Sequence, residues 1–272
     1  MTARTHTRGL LALATAATTR AVRSPALFVV LLLAHLLVAG LAWLWTAQVL
    51  GSELRGRPAP DLFTWVAMIQ QQPRLLSSLL TAGGCTVALY FVMGALAAAV
   101  LLCRFAEGSV GHAMRRPFLR ILLLRGGILL ASAAMLAGLW FTVAPLSPRL
   151  HQLDNELLIM GLYMAVALPF VLPLLFLLCL THYAQALLIR HDLGVFGALG
   201  RGLKLVHARP LAAMGLWGSG WAAWLLVGVV FTLPGLESLV LAQVGVLIRV
   251  GVHLWMYAAG WEVSATERAE VI

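Results

Sequence analysis

The sequence predicts an all-α integral membrane protein, a bundle of six transmembrane helices with short interfacial amphipathic helices. Three observations predict it. Of 272 residues, 61% are apolar and only 11% are charged, less than half the roughly 25% charged share of a soluble domain. Six segments reach the roughly 20 mostly apolar residues that one bilayer crossing requires. Between them, basic residues gather on alternate sides, the bias that sets topology. Ten acids against nineteen Lys and Arg leave a formal net charge of +9. Because the basic residues stand between oily runs, their expected counter-charge is anionic lipid headgroup and not nucleic acid.

Taken in order, residues 1–24 form a polar, basic segment with an interfacial helix expected at 10–22. The first span, 25–50, is about twice too long for the 7–15-residue core of a signal peptide, so a retained anchor is expected. The first 52 residues hold no acid and are rich in Arg, Thr and Ala, a composition that also fits an organelle transit peptide. The basic flank of a bacterial inner-membrane span is the reading adopted. A loop over 51–78 follows, with Leu62, Phe63, Trp65, Val66 and Ile69 spaced for a short amphipathic helix on the outer leaflet. The remaining spans are 79–102, 121–145, 157–180, 211–233 and 239–260. Span 157–180 carries no charge, and its length gives roughly 36 Å of helix, enough to cross with tilt. Residues 261–272 are a tail, and the whole chain 1–272 is one polytopic domain.

Basic-residue bias orients the chain. Fourteen Lys and Arg lie on the side of the termini and the second and fourth connections. Four (Arg55, Arg57, Arg74 and Arg149) lie opposite, and Arg249 is the remaining one. Both termini are therefore expected in the cytoplasm.

A threefold pattern runs through the chain. AVRSPALFVVLL, AMRRPFLRILLL and VHARPLAAMGLW align on Pro25, Pro117 and Pro210, which are 92 and 93 residues apart. Proline in the first helical turn loses no hydrogen bond and pre-sets φ, so each should open a span. Before Pro210, the residues Val195, Phe196, Leu199, Leu203 and Val206 fall within an arc of about 100°, with Arg201 and Lys204 on the other side. Such a helix should lie in the headgroup layer. Three units are expected, each an interfacial helix plus a helical hairpin.

Catalytic signals are few. The ten acids all lie in loops, tails or span ends, away from the midplane where an ion-coupled carrier would use one. The sequence has no H-E-x-x-H, G-x-S-x-G or P-loop pattern, so neither a cofactor nor ATP hydrolysis of its own is expected. Cys85, Cys103 and Cys179 read as small packing residues. Cys179, His182 and Gln185 share a helix face, and His35 stands in the first span. The pairs Gly94–Ala98, Ala134–Gly138 and Gly215–Ser219 read as close helix contacts. Pro169 and Pro173 should bend the fourth span. Trp217, Trp221 and Trp224 form a stripe expected to face lipid or a neighbour.

Arg249 is the charge that stands out, with His253 one turn later in LIRVGVHLW. An arginine at mid-span costs roughly 2.5–3.5 kcal/mol on insertion scales. Snorkelling toward Trp255, Tyr257 and Trp261 is awkward, because helical side chains lean toward the N-terminus. A partner such as Gln48, His35, a carbonyl freed by Pro169 or Pro173, or an external anion is expected. Arg249 and His253 are therefore the candidate contacts to a ligand or anionic lipid. Arg115, Arg116, Arg201, Lys204 and Arg209 are the candidate cytoplasmic contacts to lipid phosphate or a partner.

Arg23–Pro25, Arg115–Pro117, Arg209–Pro210 and GALGRGLKLVHARP resemble bacterial six-span proteins of the membrane-domain family named after glycerophosphodiester phosphodiesterases. That resemblance implies the topology and carries no catalytic residue. The expected function is that of a non-catalytic accessory or scaffold in a bacterial cytoplasmic membrane, binding anionic lipid or a partner subunit. The alternatives are a permease subunit working with an ATPase, and a lipid-modifying membrane enzyme.

Overall fold

The structure is a computed structural model that describes residues 2–53, 73–108, 111, 116–150, 155–230 and 239–265. Eight helices follow one another among the described residues: α1 (Thr2–Val22), α2 (Pro25–Glu53), α3 (Pro73–Phe105), α4 (Arg116–Leu150), α5 (Glu156–Arg190), α6 (Val195–Ala208), α7 (Pro210–Val230) and α8 (Leu239–Ala265). Six of them, α2, α3, α4, α5, α7 and α8, are long and apolar enough to cross a membrane. The chain is a multi-pass α-helical membrane protein. Residues 62–69, where a loop helix is expected, and Arg115 lie outside the described residues.

Each expected span is present, and most run longer than their oily cores. α5 has 35 residues, about 52 Å of helix, so its ends stand in the headgroup layers. Local chemistry sets the limits. Pro25, Pro73 and Pro210 open α2, α3 and α7, and Pro117 is the second residue of α4, positions where a missing amide loses no bond. The Asn155 side chain accepts from the Leu158 amide at 3.2 Å and caps α5. α3 ends as Glu107 turns to φ 61°, with the Gly108 amide donating to the Cys103 carbonyl at 2.8 Å. α5 ends before Asp192, at φ 47°.

The three hairpins, α2–α3, α4–α5 and α7–α8, are the closest-packed pairs of spans, and α1 lies along α8 while α6 lies along α5. Each of these two short helices therefore rests on the second span of the preceding unit, counted cyclically. Arg20 Nε meets Glu262 Oε1 at 2.5 Å, and Trp255 Nε1 donates to Thr18 Oγ1 at 3.1 Å, tying α1 to α8.

α6 divides its surface in a way that the periodicity shows only in part. Ala198, Gly202, Leu205 and Val206 are buried, with Gly202 set against Leu180 and Ala184 of α5. Of the expected oily arc, Phe196 (88% exposed) and Leu203 point outward, while Val206 has gone into protein. Arg201 and Lys204 are exposed. The small residues decide the docking face, because in lipid close backbone approach supplies the packing energy that hydrophobicity supplies in water.

The same rule makes the bundle asymmetric. At the end holding α1 and α6, every residue of 97–103, 183–188 and 256–261 is buried, many of them alanines. Arg190 secures that end, donating to the Trp261 carbonyl at 2.7 Å and Ser264 Oγ at 2.9 Å, with its guanidinium 4.4 Å from the Trp261 ring centre. Toward the far end, no residue of 129–146 or 157–175 is buried. We expect Gly202→Val, whose Cβ would stand 3.0 Å from Leu180 Cδ1, to unseat α6. It should cost about 1–3 kcal/mol, read as a lower melting temperature in detergent. An unchanged melt would show that this face does not hold α6.

Candidate functional site

Between the packed end and the open end lies a cavity of about 360 Å³ to which all six spans contribute. Its polar wall holds His35 of α2, Tyr90 of α3, Arg125 of α4, His182 and Gln185 of α5, and His253 and Tyr257 of α8. Trp217, Trp221 and Trp224 of α7 face this wall, and no Asp or Glu is among the described lining residues.

Arg125 is the centre of the polar wall. Its Nη2 donates to Tyr257 Oη at 2.5 Å and to Gln185 Oε1 at 3.2 Å. Gly94 makes room for it, since a Cβ there would stand 2.6 Å from Nη1. Both acceptors are neutral, so the guanidinium keeps its full charge.

The histidines surround this pair. His182 Nε2 lies 2.7 Å from the Met256 carbonyl and His35 Nδ1 lies 2.9 Å from the Leu31 carbonyl. A carbonyl only accepts, so each of those nitrogens carries a proton. His182 rests against Gly260, where a Cβ would stand 2.8 Å from Nε2. His253 stacks on Tyr257, with centroids 5.3 Å apart and planes 14° apart, and meets the His35 ring edge-on at 5.8 Å. His253 Nδ1 is buried with no hydrogen-bond partner among the described residues, a group that calls for an explanation.

Arg249 and His253, one turn apart, are divided by the fold. His253 lines the cavity, whereas Arg249 does not. The Arg249 guanidinium lies 4.8 Å from the Trp224 ring centre and is seated on Gly228 so closely that a Cβ there would collide with it. The side chain crosses to α7 and finds a cation–π face there. Gln48 is exposed and His35 turns to its own helix, so neither is the partner considered for Arg249. Nor is Arg249 the sole charge among the spans: Arg125, counted from sequence as a flank of the second connection, lies inside the third span and faces the cavity. The signal was present in FLRILLLRGGILL, where Arg125 follows Pro117 by two helical turns and has oily residues on both sides.

The other basic candidates are separate from the cavity. Arg116, Arg201 and Lys204 are exposed and Arg209 is partly buried, all at the α1 and α6 end. Arg120 meets Asp192 Oδ1 at 2.5 Å and the Leu193 carbonyl at 3.2 Å. Cys179 is buried outside the cavity wall, while His182 and Gln185 from the same helix face line it. The tryptophan stripe faces the cavity. Among the described residues, no three of His, Cys, Asp and Glu come together to hold a metal.

Comparison with family models, curated proteins and solved structures finds no match to this chain. The function rests on the geometry. The cavity brings together a fixed cation, hydrogen-bonding side chains and an aromatic wall.

We expect Tyr257→Phe and Gln185→Leu each to cost about 1.5–3 kcal/mol, the weight of a hydrogen bond to a charged group. Unfolding in detergent, with a double-mutant cycle through Arg125→Met, measures the Tyr257 coupling. Strict additivity would show that the 2.5 Å bond contributes nothing.

Proposed function

We propose that this is a non-catalytic binding protein of a bacterial cytoplasmic membrane, an accessory or scaffold that holds an anionic lipid-derived ligand inside its bundle. One observation carries this reading. The guanidinium of Arg125 stands in a cavity with no carboxylate among its described lining residues, bonded to two neutral groups. Such a charge is costly at membrane depth until an anion reaches it. The unpartnered His253 Nδ1 in the same wall supports a ligand with a polar head.

The basic end supports the cytoplasmic placement of both termini. Arg116, Arg201 and Lys204 are exposed there, and each basic residue near an anionic leaflet contributes about 1 kcal/mol of attraction. These contacts orient the protein on headgroups, while the cavity selects its ligand. The likeness in topology to the membrane-domain family fits such an accessory role.

Native mass spectrometry from mild detergent tests the reading. Wild type and Arg249→Leu should retain an anionic adduct that Arg125→Met loses. Retention by Arg125→Met, or loss confined to Arg249→Leu, would place the anion elsewhere and overturn the assignment to the cavity.

A further inference from the structure

We infer that the ligand is a single hydrocarbon chain ending in an anion, a carboxylate or a phosphate, that passes sideways from lipid between α5 and α7. The inference rests on the cavity reading above and adds the class of ligand and its route.

Among the described residues, the pairs α2–α3, α3–α4, α4–α5, α5–α8, α7–α8 and α8–α2 all pack closely, whereas α5 and α7 touch little. What joins α5 to α7 lies at the packed end, where Tyr183 Oη donates to the Ala213 carbonyl at 2.6 Å and α6 connects the two helices. Beyond it, residues 157–175 of α5 are never buried. On α7, Trp221 is 37% exposed although it lines the cavity. The α5–α7 gap therefore opens the cavity toward lipid beyond the packed end, where α5 also bonds α8.

The wall at that gap suits a hydrocarbon. Trp217, Trp221 and Trp224 form a ladder with ring centres 6.1 and 5.5 Å apart. Its seven-residue rise is about 10 Å along the helix. Across the α7–α8 hairpin stand Arg249, His253 and Tyr257, about 6 Å apart along the axis. Arg249 lies on the Trp224 end of the ladder, and Arg125 bonds Tyr257 at the other end of that row. An anion drawn in past Arg249 reaches Arg125, while its chain lies on the indole faces. A cavity of about 360 Å³ is at the lower end of small-molecule sites, which span about 300–1,000 Å³. Such a volume suits one chain, and the second chain of a phospholipid would have to stay outside in lipid.

The test uses the full chain in zwitterionic nanodiscs. Tryptophan quenching is titrated with a brominated fatty carboxylate, a brominated monoalkyl phosphate and a brominated diacyl phosphatidylglycerol, with acetate and inorganic phosphate as competitors. We expect saturable quenching by one or both single-chain anions, absent in Arg125→Met and about fivefold weaker in Trp221→Leu. Which of the two saturates identifies the headgroup. The diacyl lipid should quench without saturation, and chain-free anions should compete weakly. A diazirine at the chain end of the bound probe should label α5 and α7.

Saturable, Arg125-dependent binding that is equally tight for the diacyl lipid or for chain-free anions would overturn the single-chain inference while the cavity reading stands. Label confined to α2 and α3 would overturn the route. Quenching with no Arg125-dependent component would overturn both. Trp221→Phe, which keeps an aromatic face, should restore most of the affinity and so separates a contact role from misfolding.

Discussion

A guanidinium held among membrane spans without a carboxylate is the constraint around which this bundle is arranged. Arg125 cannot shed its charge, and its two partners, Tyr257 and Gln185, come from two other spans. Satisfying it therefore fixes α4, α5 and α8 relative to one another at one level of the membrane. The requirement sits beside the packed end, where alanine-rich stretches of α3, α5 and α8 bring backbones close. Polar bonding and small-residue packing thus act at the same level, and the bundle is rigid there.

Glycine makes that arrangement sterically possible. Arg125 occupies the space left at Gly94, His182 that at Gly260, and Arg249 that at Gly228. In each case a long or planar polar side chain crosses to a neighbouring helix through a gap that a Cβ would close. These glycines act as seats, and the polar residues of the cavity are positioned by what is missing opposite them. Toward the far end the logic reverses, with large apolar side chains left for lipid and a joint between α5 and α7 that is not closed.

In the proposed reading, the rigid end and the open end would divide the work of binding. A preorganised cation would cost little further ordering when an anion arrives, because its donors are already held by neutral partners. The gap between α5 and α7 would supply access without unpacking the core. Arg249, resting on Trp224 at the outer end of the ladder, keeps a second positive charge close to the path without adding a second deep site. Binding of this kind would also stabilise the fold, since a ligand that neutralises Arg125 relieves the least favourable charge in the bundle.

The sequence by itself determined the class of protein and the order of its parts. Six oily runs, prolines at the starts of four of them, basic connections and the short helices α1 and α6 are local properties, written in composition, periodicity and capping chemistry. Periodicity also placed His253 and the tryptophan stripe correctly on their own helices. What faced them was decided by tertiary structure alone. One turn separates Arg249 from His253, yet one meets an aromatic ring on α7 and the other a cavity, because Gly228 leaves room for the guanidinium beside Trp224. Arg125 looked like a flanking charge in the sequence, because depth in the membrane depends on where a helix really begins and on which span stands opposite. A cavity is the space left when six helices pack, so it has no counterpart in any one of them.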